Sequence, residues 1–95
     1  MLERRKFIRI PQSAKIAYKI AGYPRSRSSV SRNVGKGGIN FYATEFIPVG
    51  TVLRIQFSLK EQSYDGFARV IWFTEEPRNE RYIIGATFMN MPKAA

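Results

Sequence analysis

The chain has 95 residues, a formal net charge of +9 at pH 7, and neither cysteine nor histidine. That length allows one small domain around one core, and a hydrophobic content of 44% with 14% aromatics is enough to build it. The missing cysteines exclude disulfides and thiolate metal sites, and the missing histidines remove the commonest metal ligand and the commonest general base at neutral pH.

Residues 1–12 precede the first regular pattern. They hold Arg4, Arg5, Lys6 and Arg9, and Pro11 disfavours helix at Ile10. The segment reads as a flexible arm lying across the mouth of the fold. Residues 14–20 alternate, with Ala14, Ile16, Tyr18 and Ile20 on one face and lysines mostly on the other, which predicts a half-buried strand. Gly22, Pro24 and the Arg/Ser stretch up to Ser29 predict a loop, and residues 28–34 a second strand. Gly35, Gly37 and Gly38 interrupt the pattern, which resumes as a strand over 38–44. Pro48-Val49-Gly50 predicts a turn. Residues 51–59 then alternate, with Leu53, Ile55, Phe57 and Leu59 on one face. Residues 66–73 predict a fifth strand, 75–80 an exposed hairpin loop around Pro77, and 81–89 a sixth strand.

Six short strands separated by turns predict an all-β antiparallel barrel or sandwich, and closure would hide the edge strands of so small a sheet. The domain organisation is an arm over 1–12, a barrel over 13–91 and a tail over 92–95. Phe41, Phe57, Phe67 and Phe88 are core candidates. Trp72 is expected as a core anchor in preference to a base-stacking platform, because large aromatics usually build cores. The carboxylates Glu61 with Asp65, and Glu75 with Glu76, fall in predicted turns with no adjacent base. With no nucleophile–base arrangement, the chain is not expected to be an enzyme. No apolar run approaches the ~20 residues of a bilayer span, and Met1-Leu2-Glu3-Arg4-Arg5 lacks the apolar stretch of a signal peptide. A cytoplasmic location without a membrane span is expected.

The charge is lopsided. Ten of the sixteen Lys and Arg residues lie between Arg4 and Lys36, with Glu3 just before them as the one acidic group of residues 1–36, while the rest of the chain balances six basic against six acidic groups. A localised positive field suits a phosphate-bearing ligand. Two motifs sit within it. Arg5-x-x-x-Arg9, with Arg4 before it, offers planar guanidinium forks that fit phosphate oxygens or the O6/N7 edge of guanine. Alone it reads as a solvated basic tail. Asn33-x-Gly35-x-x-Gly38 combines an amide with glycines able to turn sharply and expose backbone N–H groups as an anion-binding concavity. Alone it reads as a plain hairpin or bulge between strands.

Together, the order and spacing of these residues resemble the PilZ domain family, the bacterial receptors for cyclic di-GMP. The family's RxxxR motif is matched in full by Arg5-Lys6-Phe7-Ile8-Arg9. Its [D/N]xSxxG motif is matched at Asn33 and Gly38, with Gly35 standing where the family has serine. Gly38-Ile39-Asn40-Phe41, Ala68-Arg69-Val70-Ile71-Trp72 and Tyr82-Ile83-Ile84-Gly85-Ala86-Thr87-Phe88 are similar to strands of the family, so the resemblance spans nearly the whole chain. It implies a six-stranded antiparallel PilZ-type β-barrel. It implies that Arg5 and Arg9 grip phosphate and guanine, that Arg4 adds a third guanidinium, and that Asn33, Gly35 and Gly38 line the other side. It further implies cyclic di-GMP as ligand, no metal or other cofactor, and an effector protein as output partner, reached when the ligand orders the arm over the barrel.

Two other readings stand beside this one. In a divergent PilZ protein-interaction module, nucleotide binding would be weak or lost because Gly35 lacks the serine hydroxyl. In a nucleic-acid-binding barrel, the high pI and scattered aromatics would carry the function. Against the last, the charge is confined to one region and not spread along a groove.

Overall fold

The computed structural model describes residues 10–11, 13–59 and 63–89. Seven antiparallel strands follow in chain order: β1 Ile10–Pro11, β2 Lys15–Ile20, β3 Arg27–Val34, β4 Gly38–Ala43, β5 Val52–Ser58, β6 Ser63–Glu76 and β7 Arg81–Phe88. The six long strands pair in the order β3-β2-β5-β6-β7-β4, and β4 pairs back onto β3. The sheet therefore closes into the expected six-stranded antiparallel barrel. The short β1 adds to β3, with Ile10 opposite Val34 and Pro11 opposite Asn33. The rest of the predicted arm, and the predicted tail over 92–95, lie outside the described residues. The one helical element among the described residues is a single 3-10 turn, Pro77–Asn79, and none of their helices is long and apolar enough to cross a membrane.

Alternation decides what fills the barrel. Ile16 and Tyr18 of β2, Leu53, Ile55 and Phe57 of β5, and Ile84 and Ala86 of β7 point inward and join one core with Phe41 of β4. Tyr18 and Phe41 touch with ring centroids 5.0 Å apart. Ile47, from the loop after β4, is fully buried and belongs to the same core. At one end Tyr64 stacks on Phe88 at 4.2 Å; at the other, Phe46 meets Phe73 edge-on at 4.9 Å. Ser31 is buried but satisfied: its hydroxyl accepts from the Ala14 amide at 2.9 Å, and its own amide donates to the Ala14 carbonyl at 2.8 Å.

Three sequence expectations change. First, β6 runs from Ser63 to Glu76, well beyond 66–73, so Asp65, Glu75 and Glu76 are strand residues and the hairpin tip shrinks to residues 77–80. Its inward position at Gly66 carries no side chain, which hides the two-residue period, and its outward Asp65 is held by β5 partners. Second, Phe67 is not core; it pairs across from Arg54, whose guanidinium lies 5.5 Å over its ring. Third, Trp72 is not a core anchor. A bulge between Val70 and Trp72 shifts the register, so that Val70 faces inward opposite Ala86 while Trp72 lies on the outer face over Gly85.

Gly85 is what allows that placement, since a Cβ there would sit inside the Trp72 indole. Gly85→Ala is expected to lower stability by about 1–3 kcal/mol through overpacking. Adding Trp72→Leu should restore most of the loss, as urea denaturation of the single and double variants will show.

The outer face also carries ion pairs. Asp65 accepts from Arg54 Nε at 2.9 Å and from Gln56 Nε2 at 3.2 Å, which holds its carboxyl below the ordinary range. Glu76 is lowered in the same way by Arg81 Nε at 2.7 Å, with Asn79 adding to it. A depressed carboxylate pKa stabilises the fold above the unfolded-state value, and that contribution is lost as pH falls through the folded value. The urea midpoint should therefore fall below about pH 4. Arg54→Gln should make that acid decline shallower, read from midpoints between neutral and acid pH.

Candidate functional site

The glycine motif lies in the β3–β4 hairpin. The Gly35 amide donates to the Gly38 carbonyl at 2.9 Å, leaving Lys36 and Gly37 at the tip. The tip is tied to β7: the Gly37 carbonyl accepts from the Phe88 amide at 2.9 Å and from the Thr87 hydroxyl at 3.1 Å. Of the N–H groups expected to line a concavity, that of Gly35 closes the hairpin. Gly38, the first residue of β4, runs hard against β7, and a Cβ there would collide with the Ala86 carbonyl oxygen. Packing alone thus requires glycine at 38.

Asn33 sits where three strands meet, opposite Asn40 of β4 and Pro11 of β1. A bulge between Ser31 and Asn33 makes this possible. Ser31 faces the core opposite Phe41, whereas Asn33, two residues on, faces outward opposite the very next β4 residue. Arg32 is the extra residue and stands exposed. Across the sheet from Asn33 the register continues through Asn40 and Gly85 to Trp72. The outer face there is a row of two amides, a bare backbone and an indole. Asn40 is 2% exposed, and its Oδ1 has no hydrogen-bond partner among the described residues.

Of the site residues predicted from sequence, Asn33, Gly35 and Gly38 fall in this one hairpin. Arg4, Arg5 and Arg9 lie outside the described residues. Sequence reasoning missed Asn40, and it placed Trp72 inside the barrel. Asn40 is the one polar residue of Gly38-Ile39-Asn40-Phe41-Tyr42-Ala43 and falls out of phase with the inward 39, 41 and 43. That much was visible; that its outer face is buried was not.

A separate cleft of about 420 Å³ opens beside Tyr42, lined by Tyr18, Arg27, Ser28 and Arg81 among others. Two of its three arginines, Arg27 and Arg81 but not Arg25, have partners among the described residues. Arg27 pairs with Glu45 at 2.8 Å. Arg81 pairs with Glu76 and stacks 3.8 Å over the Tyr42 ring. The cleft therefore offers less unpaired positive charge than its composition suggests.

The model of the PilZ domain matches residues 3–95. No curated protein sequence matches the chain. Among solved structures, the Bacillus subtilis inhibitor of motility (MotI/DgrA) superposes with a TM-score of 0.75 at 18% identity. The match covers 97% of this chain and 46% of that one, so the chain spans about half the length of that protein. The PilZ domain of Escherichia coli YcgR with cyclic di-GMP gives a TM-score of 0.70 at 15% identity, covering 96% and 82%. The PilZ domain of CeSA from a cellulose-synthesizing bacterium gives 0.62 at 21%, covering 87% and 83%. At these identities the likeness is one of fold.

Gly38→Ala tests the packing role of the motif glycine. It is expected to cost about 1–3 kcal/mol in urea denaturation, because the β4–β7 backbones must part to admit a methyl. Lys36→Ala, at the exposed tip, should change stability by no more than about 0.5 kcal/mol.

Proposed function

Because this chain belongs to the PilZ domain family, we propose that it is a receptor for cyclic di-GMP that acts by binding. The observation that carries this reading is the register of β1. Pro11 pairs with Asn33 and Ile10 with Val34, and Arg9 is bonded to Ile10 in the chain. The RxxxR motif thus ends one residue before β1, the strand that pairs with β3 at Asn33 and Val34. Sequence positions some 24 residues apart become neighbours through one two-residue ladder.

The chemistry of the ligand fits the residues. Cyclic di-GMP carries two phosphates, which take arginine forks, and two guanines, whose O6/N7 edges take the same forks in plane. On this reading Arg5 and Arg9 hold phosphate and guanine, Arg4 adds a third cation, and Asn33, position 35 and Gly38 complete the opposite side. Binding draws the segment over 1–12 onto the barrel and creates a surface that an effector protein reads. Motility, the process named for the Bacillus subtilis neighbour, is one output such a surface would serve. Gly35 removes a side-chain donor that the family's serine would supply, and this favours weakened binding. The limit of that trend is the alternative reading, a protein-interaction module that no longer takes the nucleotide.

Calorimetric titration with cyclic di-GMP, with cyclic di-AMP and GTP as controls, separates the two. Arg9→Ala is expected to lose about 1.5–3 kcal/mol of binding, the span of a charged hydrogen bond. Gly35→Ser is expected to tighten binding about two- to tenfold. An unchanged constant for Arg9→Ala removes it from the site, and equal or weaker binding by Gly35→Ser refutes the account of position 35.

A further inference from the structure

Asn40 lies beside Asn33 on the outer face, and its side-chain oxygen is buried without a donor among the described residues. An unpaired buried amide oxygen is uncommon in a folded chain and costs stability. We propose that Asn40 is a further ligand-contacting residue of the nucleotide face, and that its Oδ1 accepts from the N1–H and 2-amino edge of a guanine. This rests on the receptor reading above.

The argument is one of chemistry and reach. Directly opposed residues of an antiparallel pair hold their Cβ atoms about 4.5–5.5 Å apart. A base that meets Asn33 is therefore within one side-chain length of Asn40. An oxygen acceptor is useless to a phosphate, which offers only acceptors, and it is useless to the O6/N7 edge that arginine reads. It matches the other edge of guanine, where N1–H and the 2-amino group are both donors. Arginine forks and an asparagine oxygen would then read opposite edges of one base. Adenine presents no donor at N1 and no 2-amino group, so the same oxygen discriminates between the two purines. Asn40 has already lost its water in the free chain, so an arriving donor gains a bond without stripping solvent from it. Access requires side chains around Asn40 to turn, a change of the size that ligands commonly bring about.

A purely structural Asn40 and a ligand-reading Asn40 respond oppositely to truncation. Asn40→Ala removes an unpaired buried oxygen, so the free variant is expected to melt at the same temperature as the parent or higher. Its affinity for cyclic di-GMP is expected to fall about three- to tenfold. The analogue with hypoxanthine in place of guanine lacks the 2-amino group. It should bind the parent chain more weakly than cyclic di-GMP does, and Asn40→Ala should narrow that gap. If the parent binds cyclic di-GMP and Asn40→Ala binds it equally well, the proposal is overturned while the receptor reading stands. A variant that melts lower with unchanged affinity also overturns it, by showing a structural role. If the parent binds no cyclic di-GMP, the receptor reading fails and this inference falls with it.

Discussion

Barrel closure and the candidate site depend on the same pairing, that of β3 with β4. Without it the sheet would end in two edges, and the row from Asn33 to Trp72 would not exist. The pairing is demanding because it changes phase along its length: Ser31 must face the core opposite Phe41, yet Asn33 must face outward opposite Asn40. One extra residue, Arg32, absorbs the difference. Arg32 also carries its charge outward, toward the β6–β7 hairpin, where it helps to lower the Glu76 carboxyl. The bulge is therefore both a joint in the barrel and the device that aims Asn33.

Glycine does two kinds of work around this joint. Gly38 and Gly85 are fixed by close approach, one to the Ala86 carbonyl and the other to the Trp72 ring. Neither needs a ligand to account for it. Gly35 differs, because its amide is spent on the hairpin and its side chain is the one the family pattern would have as serine. A glycine motif read as one unit thus separates into a packing residue at 38 and a hairpin-closing residue at 35. The electrostatics divide similarly. Arg27, Arg54 and Arg81 are each paired with a carboxylate, and of these only Arg27 belongs to the cation-rich stretch between Arg4 and Lys36.

The strands were legible where inward positions are apolar and outward ones polar, as in β2 and β5, and there the expected limits differ from the observed ones by only a residue or so. They were illegible where that contrast fails. In β6 the inward Gly66 has no side chain to count, and the outward Phe67 and Trp72 look like core in a linear reading. Their outward placement depends on partners distant in sequence, Arg54 and Gly85, and on a bulge that composition does not announce. The site was half legible. Asn33 and Gly38 stand out by spacing, but the pairing of Asn33 with the chain just after Arg9 depends on β1, two residues long and without a periodic signature. Asn40 was seen only as part of a strand, since nothing local says that its outer face is covered.

That covering has an energetic implication. A domain of this size is stable by only about 5–15 kcal/mol, and an unpaired buried amide oxygen gives up about 1–3 kcal/mol of it. A serine or threonine in the same outward position would suit a strand better than asparagine and would leave less polar surface to satisfy. The neighbouring buried polar residue, Ser31, is bonded twice to Ala14, so the fold is able to pair such groups where pairing serves it. Keeping an unpaired acceptor at Asn40 fits a face whose complement arrives from outside. A donor-bearing base edge would supply the missing bond there without disturbing the β4–β7 ladder beneath it.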